Sequence, residues 1–108
     1  MTPTAIRVPL CTLEDLPLGL GRPFEIAGRE LAVFRSRDDR VFVVDGVCPH
    51  KRGPLADGML IGEQIVCPLH AFRFHGTTGA CDQPGTCGIE TYGAEVDGNT
   101  VFVLVPTE

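Results

Sequence analysis

The chain has 108 residues, enough for one compact domain and too few for two. Its formal net charge of −5 and pI near 5.1 argue against nucleic acid and anionic membranes as partners. With 13 Gly, 9 Pro, one Tyr and no Trp, the composition favours many turns and short strands.

Residues 1–8 lack the apolar core of a signal peptide, and no apolar run reaches membrane length, so a cytoplasmic location is the default expectation. Ala5 to Leu10 reads as a first strand, placed at a sheet edge by Pro9. Thr12-Leu13-Glu14-Asp15 reads as a short capped or turn segment and Pro17 to Gly21 as a loop. Gly19-Leu20-Gly21 does not extend to G-x-G-x-x-G and does not join a strand to a helix, so no nicotinamide or flavin site is expected. Phe24-Glu25-Ile26 and Leu31 to Phe34 read as strands around a turn at Gly28. Asp38-Asp39 then turns the chain into Val41 to Val44. Ile61 to Val66 reads as one strand ending at Cys67, followed by Phe72-Arg73-Phe74 and a tight turn from Gly76 to Gly79. Ala80 to Thr86 is irregular. A hairpin of Ile89 to Val96 and Thr100 to Val105, turning at Asp97-Gly98-Asn99, closes the chain. No stretch holds a 3.6-residue apolar period over ten residues, so the expected fold is all-β, an antiparallel sandwich in one domain spanning 1–108.

Two short segments carry the chemistry. Cys48-Pro49-His50 and Cys67-Pro68-Leu69-His70 each offer one thiolate and one imidazole. The order Cys, His, Cys, His on two loops fits a Rieske [2Fe–2S] centre, with two cysteines on one iron and two histidines on the other. The alternative of another class is a structural or interaction domain built on tetrahedral zinc, which uses the same ligand types. Zinc halves usually read C-x₂₋₄-C and H-x₃₋₅-H, and neither occurs here. Cys48, His50, Cys67 and His70 are therefore the expected cluster ligands, within a cluster-binding subdomain of about 46–76, and no residue is assigned a catalytic role. Two Fe³⁺, two sulfides and two thiolates sum to zero charge, whereas four thiolates leave −2, so the histidines make an added electron easier to accept. The outer nitrogen of each histidine is the expected exit for the electron and a site of redox-linked protonation.

Cys48 to Gly58, Cys67-Pro68-Leu69-His70 and the Gly76 to Gly79 turn together resemble a Rieske ferredoxin domain, most closely the small subunit of bacterial assimilatory NAD(P)H nitrite reductase. The opening Cys11 to Pro17 and the closing Asp97-Gly98 hairpin fit the same pattern. The resemblance implies one-electron transfer beside a large subunit that carries flavin and sirohaem. A free-standing ferredoxin serving a ring-hydroxylating oxygenase and its reductase is the second expectation. High-potential Rieske proteins add a cysteine to each loop and place Ser and Tyr hydroxyls after the second histidine. This chain has no spare loop cysteine and carries Phe72 and Phe74 there, so the expected potential lies at the low end of the Rieske range, around −150 mV.

The remaining conspicuous residues have plainer readings. His75 reads as a surface histidine at a strand end, although it could assist proton transfer. Cys81 and Cys87 read as reduced loop cysteines, with a disulfide or a redox switch as the alternatives. Cys11 reads as a small core residue. Lys51 and Arg52 are either solvated charges or a docking pair. Pro84-Gly85 is either a connecting loop or a cover over the cluster. Phe72 and Phe74 alternate and are expected to pack beneath the loops.

Overall fold

The computed structural model describes residues 5–26, 28–47, 54–67, 73–82 and 88–106. Nine strands and two short 3₁₀ turns make up the regular structure among them, with no α-helix. The strands are β1 (Ala5–Thr12), β2 (Gly21–Ile26), β3 (Arg29–Arg35), β4 (Val41–Asp45), β5 (Met59–Ile61), β6 (Gln64–Val66), β7 (Arg73–His75), β8 (Thr91–Asp97) and β9 (Thr100–Pro106). They form a six-stranded antiparallel sheet in the order β1-β9-β8-β4-β3-β2 and a three-stranded antiparallel sheet in the order β5-β6-β7. The all-β expectation is met.

The alternation of side chains along β3 and β4 explains the layering. Leu31 and Val33 of β3 and Val43 of β4 join Val101, Val103 and Val105 of β9 in one buried cluster, closed by Leu16. The interleaved residues Ala32, Phe34, Phe42 and Val44 are buried on the opposite face, against Leu55, Leu60, Ile65 and Phe74. β3 and β4 are thus covered on both sides, which is why their sequences read as continuous apolar runs. The six-stranded sheet supplies one core by folding β9 over β3 and β4. The small sheet completes a second core on the outer face of the same two strands.

The edge position of β1 is as Pro9 predicts, and the register slips between Pro9 and Cys11. The capped segment also forms: the Asp15 carboxylate accepts the Thr12 N–H (3.0 Å) and the Thr12 hydroxyl (3.1 Å) at the turn Leu13–Asp15. Those bonds to the ionised form, the backbone one foremost, hold the Asp15 pKa below its ordinary value. Arg35 donates to the Leu13 and Leu16 carbonyls (2.9 and 3.2 Å), tying this turn to β3.

Two strand boundaries differ from expectation. Ile61 to Val66 is not one strand, because Gly62 (φ +63°) and Glu63 turn the chain between β5 and β6. Gly62 alone takes the positive φ, as the first residue of a two-residue II′ hairpin turn requires. The last hairpin starts at Thr91 rather than Ile89. The residues before Thr91 are engaged elsewhere: Ile89 N–H donates to the Gly79 carbonyl (2.9 Å), and Asp45 N–H donates to the Glu90 carbonyl (3.0 Å).

Candidate metal centre

Of the four expected ligands, Cys67 lies within the described residues; Cys48, His50 and His70 lie outside them, as do Lys51, Arg52, Phe72, Pro84, Gly85 and Cys87. Cys67 directly follows β6 and is 1% exposed, in the same buried cluster as Ile65 and Phe74. The small sheet sets its position. Val66 pairs with Arg73, Ile65 with Phe74 and Gln64 with His75, so residues 67–72 connect one end of the β6-β7 hairpin.

The stems of the first ligand segment converge on the same end. Val47 and Pro54 form an antiparallel bridge on either side of residues 48–53, and Leu55 N–H donates to the Gly46 carbonyl (2.9 Å). After Pro54 the chain makes the 3₁₀ turn Leu55–Asp57 and reaches Gly58, whose N–H donates to the Leu55 carbonyl (2.9 Å). A Cβ at position 58 would run into the Val66 carbonyl oxygen. Glycine there lets the exit of the first segment pack directly on the residue that precedes Cys67.

A third stem adjoins them. Phe74 bridges to Cys81, Asp82 N–H donates to the Arg73 carbonyl (3.0 Å), and Arg73 N–H donates to the Asp82 carboxylate (3.2 Å). The segment that contains Pro84 and Gly85 therefore departs beside Arg73, where the β6-β7 connection ends. Asp82 and Gly58 were not singled out from the sequence as positioning residues. Asp82 sits in an irregular polar stretch without period, and Gly58 needs knowledge of which carbonyl lies opposite it.

The floor beneath these stems fits an uncharged group. Leu55, Leu60, Ile65 and Phe74 are all under 9% exposed, and no polar or charged residue is buried among the described residues. A tetrathiolate centre of net charge −2 would set an uncompensated charge on this floor. A Cys₂His₂ [2Fe–2S] centre is neutral when oxidised, so the donor set and the floor agree.

The family model for the Rieske [2Fe-2S] domain matches residues 6–93, which takes in both ligand segments and all three stems. The chain belongs to the Rieske [2Fe-2S] domain family. It accordingly carries a Rieske cluster, and its function is one-electron transfer. Among curated relatives, this Rieske domain is 34% identical over 92 residues to the ferredoxin component of a naphthalene 1,2-dioxygenase system of Pseudomonas aeruginosa, covering 84% of this chain and 88% of that protein. It is 40% identical over 67 residues to cholesterol 7-desaturase of Xenopus laevis, covering 61% of this chain but only 15% of that much longer protein. Among solved structures, a protein assigned as a nitrite reductase (NADPH) small subunit superposes with a TM-score of 0.83 at 28% identity, over 93% of this chain and 99% of that one. A protein assigned as the NADH-dependent nitrite reductase small subunit of Mycobacterium tuberculosis superposes with a TM-score of 0.89 at 21% identity, over 97% and 99% of the two chains; this shows the shared fold.

His75 ends β7 with its side chain 40% exposed; its Nδ1 accepts the Thr77 N–H (3.2 Å) and its Nε2 lies 3.5 Å from the Glu63 carboxylate. Glu63 in turn binds Arg40 (2.7 Å), and this ion pair holds the Glu63 pKa below its ordinary value. Phe74 is fully buried, in one cluster with Leu55, Leu60 and Ile65. Cys11 is half-buried beside the β3-β9 core, and burial raises its thiol pKa. No helix among the described residues is long and apolar enough to cross a membrane.

Proposed function

We propose that Cys48, His50, Cys67 and His70 hold the cluster, that residues of about 46–76 form its binding subdomain, and that the chain relays single electrons as the small subunit of a nitrite reductase. The ligand assignment is supported by the convergence of the stems around 48–53 and 67–72 at one end of the small sheet. The reductase assignment is carried by the superposition on a nitrite reductase small subunit at a TM-score of 0.83 and 28% identity, over 93% of this chain and 99% of that one. The bound cluster supplies a one-electron couple. The chain's own residues hold it: two thiolates and two neutral imidazoles bind, the apolar floor of Leu55, Leu60, Ile65 and Phe74 keeps water from its underside, and the outer histidine nitrogens hold or release a proton. Phe74 offers no hydrogen bond toward the cluster, in line with a potential near the low end of the Rieske range, about −150 mV. A measured value above about +100 mV would contradict that placement.

A second reading has an observation of its own. The 34% identity to an oxygenase ferredoxin, over 88% of that protein's length, favours a free-standing carrier that reduces a ring-hydroxylating oxygenase. Anaerobic isolation of the tagged protein from its own host separates the two. A flavin- and sirohaem-containing protein in equal amount is the expected companion. An oxygenase, or no companion, would move the assignment to the free ferredoxin.

A further inference from the structure

Among the described residues, six large apolar side chains are exposed, and four of them lie together along the outer edge of the small sheet. Leu18, Leu20, Met59 and Ile61 are 52%, 50%, 46% and 48% exposed. Leu20 bridges Met59 directly, and Leu60 N–H donates to the Gly19 carbonyl (2.8 Å), so the 18–20 segment lies alongside β5. Leu60 turns inward to the core, and its neighbours Met59 and Ile61 therefore share the outer face. Four half-exposed side chains leave an apolar surface on the order of 300–400 Å², the size at which a patch on a monomer is often functional.

Two observations say what covers it. One end of the patch lies toward Cys67, since Met59 pairs with Val66, while Ile61 pairs with Gln64 beside the Gly62–Glu63 turn at the other end. It is bordered by a cleft of about 690 Å³ between Leu18 and the 36–40 turn, with exposed Arg37 on its rim. Arg37 has no carboxylate partner among the described residues, and the carboxylates nearest it in the chain and cleft are engaged: Asp38 accepts the Ser36 hydroxyl, Asp39 pairs with Arg35 (2.8 Å) and Glu63 with Arg40 (2.7 Å). A twofold contact between two copies would bring two Arg37 side chains together and offer each only Asp38, already bound to its own Ser36 hydroxyl, as a carboxylate without an ion-pair partner. From these observations we infer that Leu18, Leu20, Met59 and Ile61 form the apolar core of a docking surface for the protein's redox partner, a different chain that supplies an apolar counter-surface and a carboxylate for Arg37. A specific interface covers about 800 Å² on each side, so the patch would be its centre, with the cleft at its margin. This inference rests on the reading of the chain as a relay between proteins.

The test uses the cluster-loaded full chain, the purified flavin–sirohaem nitrite reductase large subunit as probe and a purified ring-hydroxylating oxygenase as parallel probe. Binding is measured for wild type, the Leu20→Gln/Ile61→Gln double variant and Arg37→Glu, with the visible circular dichroism and potential of the cluster recorded for each. The double variant is expected to raise Kd at least tenfold with both cluster readouts unchanged. Arg37→Glu should weaken binding several-fold, and more at low salt than at high salt. If the double variant alters the cluster spectrum, Leu18→Gln is read in its place, with a several-fold loss expected. Wild-type affinity in the variants overturns the docking surface and leaves the relay reading intact. A wild-type dimer that the double variant dissolves also overturns it, by making a second copy the occupant. Binding to the oxygenase alone, lost in the double variant, supports the surface and removes the nitrite reductase assignment. Binding to neither probe overturns both.

Discussion

The two cores of this molecule are built on opposite principles. The core between β3, β4 and β9 is closed by side chains of the six-stranded sheet and Leu16, from residues spread between Leu16 and Val105. The core under the small sheet borrows four of its eleven buried residues, Ala32, Phe34, Phe42 and Val44, from the back of that same sheet. The rest comes from three strands of three residues each, a single 3₁₀ turn, Cys67 and Ile89. So small a sheet is marginal alone. The lesson is that the large sheet is a scaffold complete in itself, whereas the small sheet depends on the scaffold below it and, with the ligand set proposed above, on the cluster its loops would hold.

Removing the cluster should make the largest difference between the regions. Iron chelation under reducing conditions is expected to strip hydrogen-exchange protection from Met59–Ile61, Gln64–Val66 and Arg73–His75 while the β3-β4-β9 amides stay protected. Equal loss in both regions would break the comparison. Phe74→Ala comes next. It empties a fully buried site in the dependent core, so about 3–5 kcal/mol of stability should be lost in chemical denaturation, together with cluster occupancy. Leu31→Ala, in the scaffold core, should cost about 2–5 kcal/mol and leave occupancy of the folded fraction unchanged.

Gly58→Ala sharpens the contrast further, because its Cβ has no space against the Val66 carbonyl. The expected cost is about 1–3 kcal/mol, with a shifted cluster spectrum because the two ligand segments are forced apart. An unchanged spectrum would mean that the contact does not position them. The smallest effect belongs to Asp15 on the scaffold side. Its folded pKa lies below the ordinary value of 3.8, so its contribution is complete above that pH and fades as the pH falls through the folded pKa. Asp15→Asn should therefore flatten the acid limb of a Tm-against-pH curve below about pH 4 and leave the cluster unaffected.

Much of this was legible in the residues. The alternating and continuous apolar runs mark β1 to β4 and β9, Pro9 marks the edge, Thr12 and Asp15 mark the cap, and the Cys-x-His and Cys-x-x-His segments supply the proposed ligand set. Other features depend on tertiary pairing. The run from Met59 to Val66 is apolar at both ends, and only the turn at Gly62 shows that it doubles back. Ile89 looks like a strand residue, but its N–H is taken by Gly79. The double burial of β3 and β4 is readable as hydrophobicity, whereas the assignment of Ala32 and Phe34 to one core and Leu31 and Val33 to the other follows from which sheet packs on each face. The Arg40–Glu63–His75 link joins three elements distant in sequence and leaves no local pattern.

The ligand set is the centre of the account, and pulsed EPR of the dithionite-reduced protein with ¹⁵N-labelled histidine tests it most directly. Wild type should show two histidine nitrogens bound to a [2Fe–2S] cluster, with one of them lost in His70→Cys and the potential lowered by the added thiolate charge. A colourless protein that holds zinc, or a cluster signal without histidine nitrogen, would contradict it.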